Sequence, residues 1–478
     1  MKQLHLFLKQ HGIVITIIAA FVIARIVTLS THAIVDWDAA VYVGMGKYLF
    51  SHGTIGTWEI LRPVGLPIVL GLFWNIGISP YMAGVVLSML ISVGTLVLVY
   101  MFAQEVRRGA GNIAVMVLVS SAIFFRYSAV PVTDISSTFF ALLGIFLVHK
   151  AVTNKQYIVA GLVMAMAFLF RFPQGLVIVV GVLLLVLKMI SEKGKWNVRI
   201  VHFIERGFSL AGGFLLLAVP FLIINQYAYG NAFLPFIEAT AVIKLYPTLY
   251  NKGIFFYAGQ LLRQDPLFLL ALAPMALLAK KKYRHPAVMV MTVVLVVFAG
   301  YFTYQAHKEL RYALAFLPYL SILTGAGIAY ALEYWKLPQL LFFGLFIIVG
   351  FMVYAPLLTQ PLKNPSAPAW YDFNTYLARA PRARVLSSTP YLLAYSDVLI
   401  TRNLYDDWND AYLAYHTYKN NADYVTLDSC NLELGCADNA HCKDDKQSLL
   451  SELSTQATQV FSETTPDRCV LEIYKISH

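Results

Sequence analysis

The chain has 478 residues, of which 59% are hydrophobic and only 13% charged, and its mean hydropathy is +0.65. Soluble globular chains carry roughly a quarter charged residues, so a wholly soluble chain is excluded. The net charge of +10 is spread over short loops and carries no nucleic-acid motif, which leaves a polytopic α-helical membrane protein.

The first apolar run, Ile13 to about Leu29, follows Lys2 and Lys9. Arg25 interrupts it and no A-x-A cleavage site follows, so it reads as an uncleaved first span. Next comes "IVDWDAAVYVGMGKYL" (34–49), with Asp36 and Asp38 beside hydrocarbon and Tyr42 behind them. A carboxylate there costs several kcal/mol unless it is solvated, paired or used. A helix starting at Asp38 would make that residue an N-cap, with Tyr42 one turn on. The continuation "GKYLFSHGTIGTWEILRPVGLP" (46–67) carries the helix breakers Gly53 and Gly56, then Glu59 and Arg62. The apolar segment 64–78 is short and holds Pro67, so it reads as an interfacial or re-entrant helix.

About eleven spans are expected from the apolar runs. They lie near 12–31, 79–103, 111–128, 134–150, 157–171, 173–190, 206–226, 265–280, 286–304, 312–334 and 338–358. Alternating the loops sorts the charges. Lys2, Lys9, Arg107, Arg108, Lys150, Lys155, 188–199, "KKKYRH" (280–285) and Lys336 fall on one side. The positive-inside rule makes that side cytoplasmic, with the N-terminus, in a multi-pass protein of the cell membrane. Asp36, Asp38, Glu59, Asp134, Glu238 and Glu309 then face outward, and so do Arg62, Lys308 and Arg311. Cations on the wrong side need another reason, and anion binding supplies one.

Three further stretches concentrate charge at membrane boundaries. "SAVPVTDISSTFF" (128–140) sets Asp134 at the start of a span, and "FLFRFPQGL" (168–176) breaks two spans with Arg171 at the break. "YQAHKELRYALAFLPYL" (304–320) gathers His307, Lys308, Glu309 and Arg311. On a helix, His307 and Arg311 would share a face, as would Lys308 and Tyr312.

From about 360 the composition changes. Short apolar runs, "RVLSST" (384–389), "VLITRNLY" (398–405), "DYVTLD" (423–428) and "CVLEIYKI" (469–476), alternate with helical patterns such as "KQSLLSELSTQAT". Residues 360–478 are therefore expected to form an extracytoplasmic α/β domain after a membrane module of residues 1–359. All four cysteines, Cys430, Cys436, Cys442 and Cys469, lie there. An oxidising exterior favours two disulfides with three possible pairings, and the rival is a zinc site without the usual short Cys pair.

Taken in order, these stretches resemble the GT-C superfamily of polytopic glycosyltransferases, in particular the protein O-mannosyltransferase and lipid A aminoarabinose transferase branch and its archaeal-type members. Asp38 and Tyr42 match the acidic residue and following Tyr of the first outer loop, with Ala39 where a common form has a second acid. "RPVGLP" resembles the R/K-P-P-x-x-P segment, "PVTDISSTFF" the second-loop acidic motif and "FRFPQGL" the basic break. "GNAFLPF" (230–236) resembles N-P-x-x-P-F, and "HKELRY" is similar to H-K-E-x-R-F/Y. The resemblance covers about residues 10–358.

It implies transfer of a hexose such as mannose from a polyprenyl- or dolichyl-phosphate donor to an extracytoplasmic protein, glycan or lipid acceptor, as in protein glycosylation. Asp38 is then the general base. Arg62, Arg171, His307, Lys308 and Arg311 meet the lipid phosphate. Asp36, Tyr42, Glu59, Asp134 and Glu309 support them. A divalent metal, Mg²⁺ or Mn²⁺, would be held by Asp134 or Asp38. The donor, the acceptor and membrane lipids are the partners, with no nucleic acid. The alternatives are a transporter or flippase-like protein for a lipid-linked or anionic substrate, and a membrane-anchored interaction protein.

Overall fold

A computed structural model describes residues 2–29, 35–245, 252–277, 285–305, 307–336, 366–404, 411–430 and 440–477, with isolated positions 338 and 344. The expected span 338–358, the linker before 366, the basic run 280–284 and Cys436 lie outside those residues, apart from the two isolated positions. The chain divides into two compact units. One gathers Met1–Val27, Ile60–Gly65 and Val86–Leu357, and the other Thr28–Glu59, Leu66–Val85 and Leu358–His478.

The first unit is a helical membrane body. Among the described residues five helices are long and apolar enough to cross a bilayer: His11–Leu29, Pro80–Val106, Phe172–Ser191, Trp196–Tyr229 and Pro286–Tyr304. The chain is a multi-pass membrane protein. Its largest core packs Phe102, Phe124, Tyr157, Phe298 and Tyr319. The longest helix still leaves Phe208, Leu216 and Ile224 exposed, as lipid-facing residues do. Helix–helix approach depends on small residues. A Cβ on Gly161 would strike the Leu210 carbonyl, and one on Gly213 the Ile158 carbonyl.

Two expected spans differ in form. The run 111–128 breaks into Ala110–Val119 and Ala122–Tyr127, because Ser121 leaves the helix and its hydroxyl caps the amide of Phe124 at 3.4 Å. The run 312–334 opens as a 3₁₀ turn, Leu310–Ala315, before the α-helix Leu317–Tyr334.

In the second unit, helix α1 (Trp37–Phe50) begins one residue before Asp38. Asp36 is the N-cap and accepts from the amides of Asp38 at 3.0 Å and Ala39 at 3.4 Å. Helix α2 (Gly65–Asn75) has 11 residues, about 16 Å of helix and so half a bilayer. The two helices meet where a Cβ on Gly46 would lie 2.7 Å from the amide of Gly71.

The C-terminal part of this unit is an α/β domain. Strands β1 (Arg384–Ser387), β2 (Leu399–Asn403), β3 (Tyr424–Asp428), β4 (Ala457–Thr464) and β5 (Val470–Ile476) form one sheet in the order β2-β1-β3-β5-β4. β1 runs parallel to β2 and β3, and β5 antiparallel to β3 and β4. Alternation sends Val385, Leu471 and Ile473 to one core and Leu386, Val425 and Tyr474 to the other. Strand β4 was not legible: its half-exposed, polar pattern continues the helical one before it, and pairing with β5 makes it a strand. The loop after α1 extends the sheet. Gly56 donates to the Val398 carbonyl at 2.7 Å and accepts from the amide of Ile400 at 2.9 Å. Its φ of +97°, with the Gly44 carbonyl where a Cβ would stand, requires glycine.

Cys430 and Cys469 form a disulfide. That excludes a four-thiolate zinc site, since two of its ligands would be oxidised. Cys442 stands on the helix Ala440–Gln456.

Candidate functional site

In the membrane unit, three stretches far apart in sequence meet. Asp134 is the second residue of the helix Thr133–Lys150 and is only 3% exposed. Arg171 ends the helix Asn154–Phe170, where the chain turns extended before Pro173. Its guanidinium lies 2.7 Å from the Asp134 carboxylate and 4.3 Å from the ring centre of Tyr312. Phe172 of the same break packs 4.6 Å from Phe236, which joins the "FRFPQGL" and "GNAFLPF" stretches.

The stretch 307–312 is not an α-helix. Glu309 is extended (φ −120°, ψ 149°) and a 3₁₀ turn starts at Leu310. The faces expected from helical spacing therefore do not form. Instead the chain folds around one carboxylate. Glu309 accepts one hydrogen bond from Arg311 at 3.1 Å, has the Arg311 Nε at ion-pair distance, 2.7 Å, and lies 2.7 Å from His307 Nε2. The Tyr312 hydroxyl bridges Glu309 and His307, 3.0 Å from each.

Lys308 is the exception. It is 6% exposed, and among the described residues its ammonium has one acceptor, the Gln305 carbonyl at 2.6 Å. Three permanent cations, Arg171, Lys308 and Arg311, thus stand against two carboxylates, Asp134 and Glu309. Among the described residues the excess is one positive charge, more when His307 is protonated. Burying such a charge is costly without a counter-ion.

Tyr257 was missed by sequence reading, because an aromatic residue in a long loop gives no signal of its own. It lies on Phe256–Gln264, is 3% exposed, and stacks edge-on to Phe316 at 5.7 Å. Burial raises its hydroxyl pKa, and the charges of Arg171, Glu309 and Asp134 act on it. Arg62 stands three residues before Gly65, where a Cβ would lie 2.8 Å from the Leu169 carbonyl. Its segment therefore runs beside the helix end that presents Arg171.

The remaining predicted residues belong to the second unit. Asp36 caps α1, Asp38 sits half-buried in its first turn, Tyr42 is buried one turn on, and Glu59 is 8% exposed. The Asp134 carboxylate is paired with a guanidinium. Among the described residues the one group with metal-ligand spacing is Asp428, Cys430 and Cys469, whose sulfurs are bonded to each other.

Residues 62–224 match the family model of dolichyl-phosphate-mannose-protein mannosyltransferases. That range includes Arg62, Asp134 and Arg171 and stops before 307–312. The whole chain is similar in fold to ArnT from Cupriavidus metallidurans, solved bound to undecaprenyl phosphate. The TM-score is 0.63 at 11% identity, over 97% of this chain and 98% of that one. It also resembles the arabinofuranosyltransferase AftD from Mycobacteria (TM-score 0.55, 12% identity, 97% of this chain and 40% of that one). The oligosaccharyltransferase of Archaeoglobus fulgidus matches at a TM-score of 0.50 and 12% identity, over 95% and 72% of the chains. No curated protein matches by sequence search. The chain shares its fold with these solved structures and carries a small C-terminal sheet domain.

Proposed function

We propose that this membrane protein transfers a sugar, a hexose such as mannose, from a polyprenyl-phosphate carrier to an acceptor hydroxyl with inversion at the anomeric carbon. The observation that carries the reading is the cluster of Asp134, Arg171, Lys308, Glu309 and Arg311, in which Asp134 and Lys308 are buried and cations outnumber carboxylates among the described residues. A lipid phosphate would balance that charge, and a fork of guanidinium donors suits its oxygens. The charges stand at helix ends and in a connection rather than in mid-span, which fits chemistry at a membrane surface better than a transport path.

The proposed step is a single displacement. The acceptor oxygen bonds to the anomeric carbon as the bond to the phosphate oxygen breaks. Asp38 takes the acceptor proton, and the leaving phosphate keeps the electron pair. Arg171, Lys308 and Arg311, with Arg62 and His307, stabilise the charge that grows on that phosphate. Glu309 and Asp134 hold the guanidiniums in place, since a buried Arg without a partner would not stay fixed. The extracytoplasmic side, a cytoplasmic N-terminus and the cell membrane complete the proposal, carried by the loop charges. Mg²⁺ or Mn²⁺, where used, would be held by Asp38 or Asp134. A rate unchanged by EDTA would assign charge neutralisation to the cluster, and a loss restored by Mn²⁺ would add the metal.

The test is transfer of radiolabelled sugar from a panel of polyprenyl-phosphate sugars by purified protein with native membrane extract. Label reaching product with the wild type and not with Asp38→Asn is expected. A fully active Asp38→Asn would remove Asp38 as the base, and failure of every donor lipid to bind would overturn the transferase.

A further inference from the structure

Lysine is almost never fully buried unless it is paired, yet Lys47 in the last turn of α1 is 3% exposed. Its ammonium lies 2.9 Å from the Asp397 carboxylate and donates to the carbonyls of Leu393 at 2.8 Å and Ser396 at 3.0 Å. An ammonium has three donors, and here each has an acceptor. Lys47 therefore has no donor to spare for a phosphate. A methionine would fill the same space without the cost of burying a charge. What the ion pair adds is direction, because the three acceptors admit one placement of the ammonium.

The rest of α1 is held to the same piece of chain. The Trp37 ring meets Tyr391 edge-on at 5.5 Å, and the Leu393 side chain fills the space above Gly44. Trp74 of α2 donates to the Asp397 carboxylate at 3.2 Å. Contacts thus fall near both ends of α1, and Asp38 stands between Trp37 and the rest of the helix. We infer that Lys47 is a positioning residue: through Asp397 it fixes the register of α1 against the C-terminal domain and so aims the Asp38 carboxylate. The inference rests on the proposed role of Asp38. It gives the C-terminal domain a part in the reaction that needs no contact with substrate.

A displacement of about 1 Å at a reacting group can cost a hundredfold in rate, so the readout is turnover. Turnover at saturating donor, donor half-saturation and thermal midpoint are measured with the donor of the panel that is consumed. Lys47→Met should lose about tenfold or more in turnover, with donor half-saturation unchanged. Trp74→Phe removes one hydrogen bond and should lose less, in the same direction. Leu453→Ala, in the core on the other face of the sheet, controls for stability: it should lower the midpoint and keep its turnover. Lys47→Met and Trp74→Phe at wild-type turnover would overturn the inference, and so would an equal loss in Leu453→Ala. A dead Asp38→Asn beside a full-speed Lys47→Met sinks this inference alone. A fully active Asp38→Asn sinks the base and the inference with it.

Discussion

Lys47 and Lys308 are hidden to a similar degree, at 3% and 6% exposure, yet they are held in opposite ways. Lys47 in the second unit has a carboxylate and two carbonyls. Lys308 in the membrane unit has one carbonyl among the described residues. A saturated buried cation fixes geometry, and an unsaturated one keeps binding capacity for an anion that arrives later. Burial alone therefore does not identify a functional charge; the count of acceptors does.

Substitutions can break that comparison. The largest effect on stability is expected from Asp397→Ala, which leaves the buried Lys47 ammonium without its carboxylate and should cost about 3–5 kcal/mol. Lys47→Met should cost less, because Asp397 is 45% exposed and keeps Trp74 as a donor. Chemical denaturation of the two variants checks the asymmetry, and equal losses would refute it. Cys430→Ser opens a disulfide between residues 39 apart and should cost about 4 kcal/mol in the chain-entropy view. The thermal midpoint with and without reductant reads it.

Lys308→Met should leave stability unchanged or raised, and weaken donor-lipid binding roughly tenfold or more, the loss of one charge-assisted hydrogen bond. Arg311→Ala should weaken binding as well, but with a loss of stability, because Glu309 then loses its guanidinium partner. Donor affinity unchanged in both would remove 307–312 from the phosphate site.

The smallest effect is at the surface. Burial alone would raise the Glu452 carboxyl, but the hydrogen bond from Lys419 and the charges of His416 and Lys419 hold it below its ordinary value of 4.5. A carboxylate held low stabilises the fold above its unfolded pKa, and that contribution is lost as pH falls through the folded value. Glu452→Gln should therefore cost less than about 1 kcal/mol at neutral pH, with the difference vanishing in acid.

Much of the membrane unit was legible because apolar length and boundary charges are local signals. Asp134, Arg171 and the 307–311 group could be picked out one by one. Their pairing could not: Asp134 and Arg171 are partners across two helices, and the helical faces expected for 307–312 gave way to a 3₁₀ turn around Glu309. Lys47 gives no local signal of its role, since its partner lies at position 397.

The sequence by itself determined that this chain crosses the membrane several times, that it ends in an α/β domain, and that its unusual charges sit at span boundaries. Those properties follow from hydropathy and alternation, which each segment carries alone. Only the tertiary structure decided which charges pair, that Glu309 collects His307, Arg311 and Tyr312, that Cys430 joins Cys469, and that α1 packs with the C-terminal domain. The strength of an ion pair depends on distance and burial, and chain separation encodes neither.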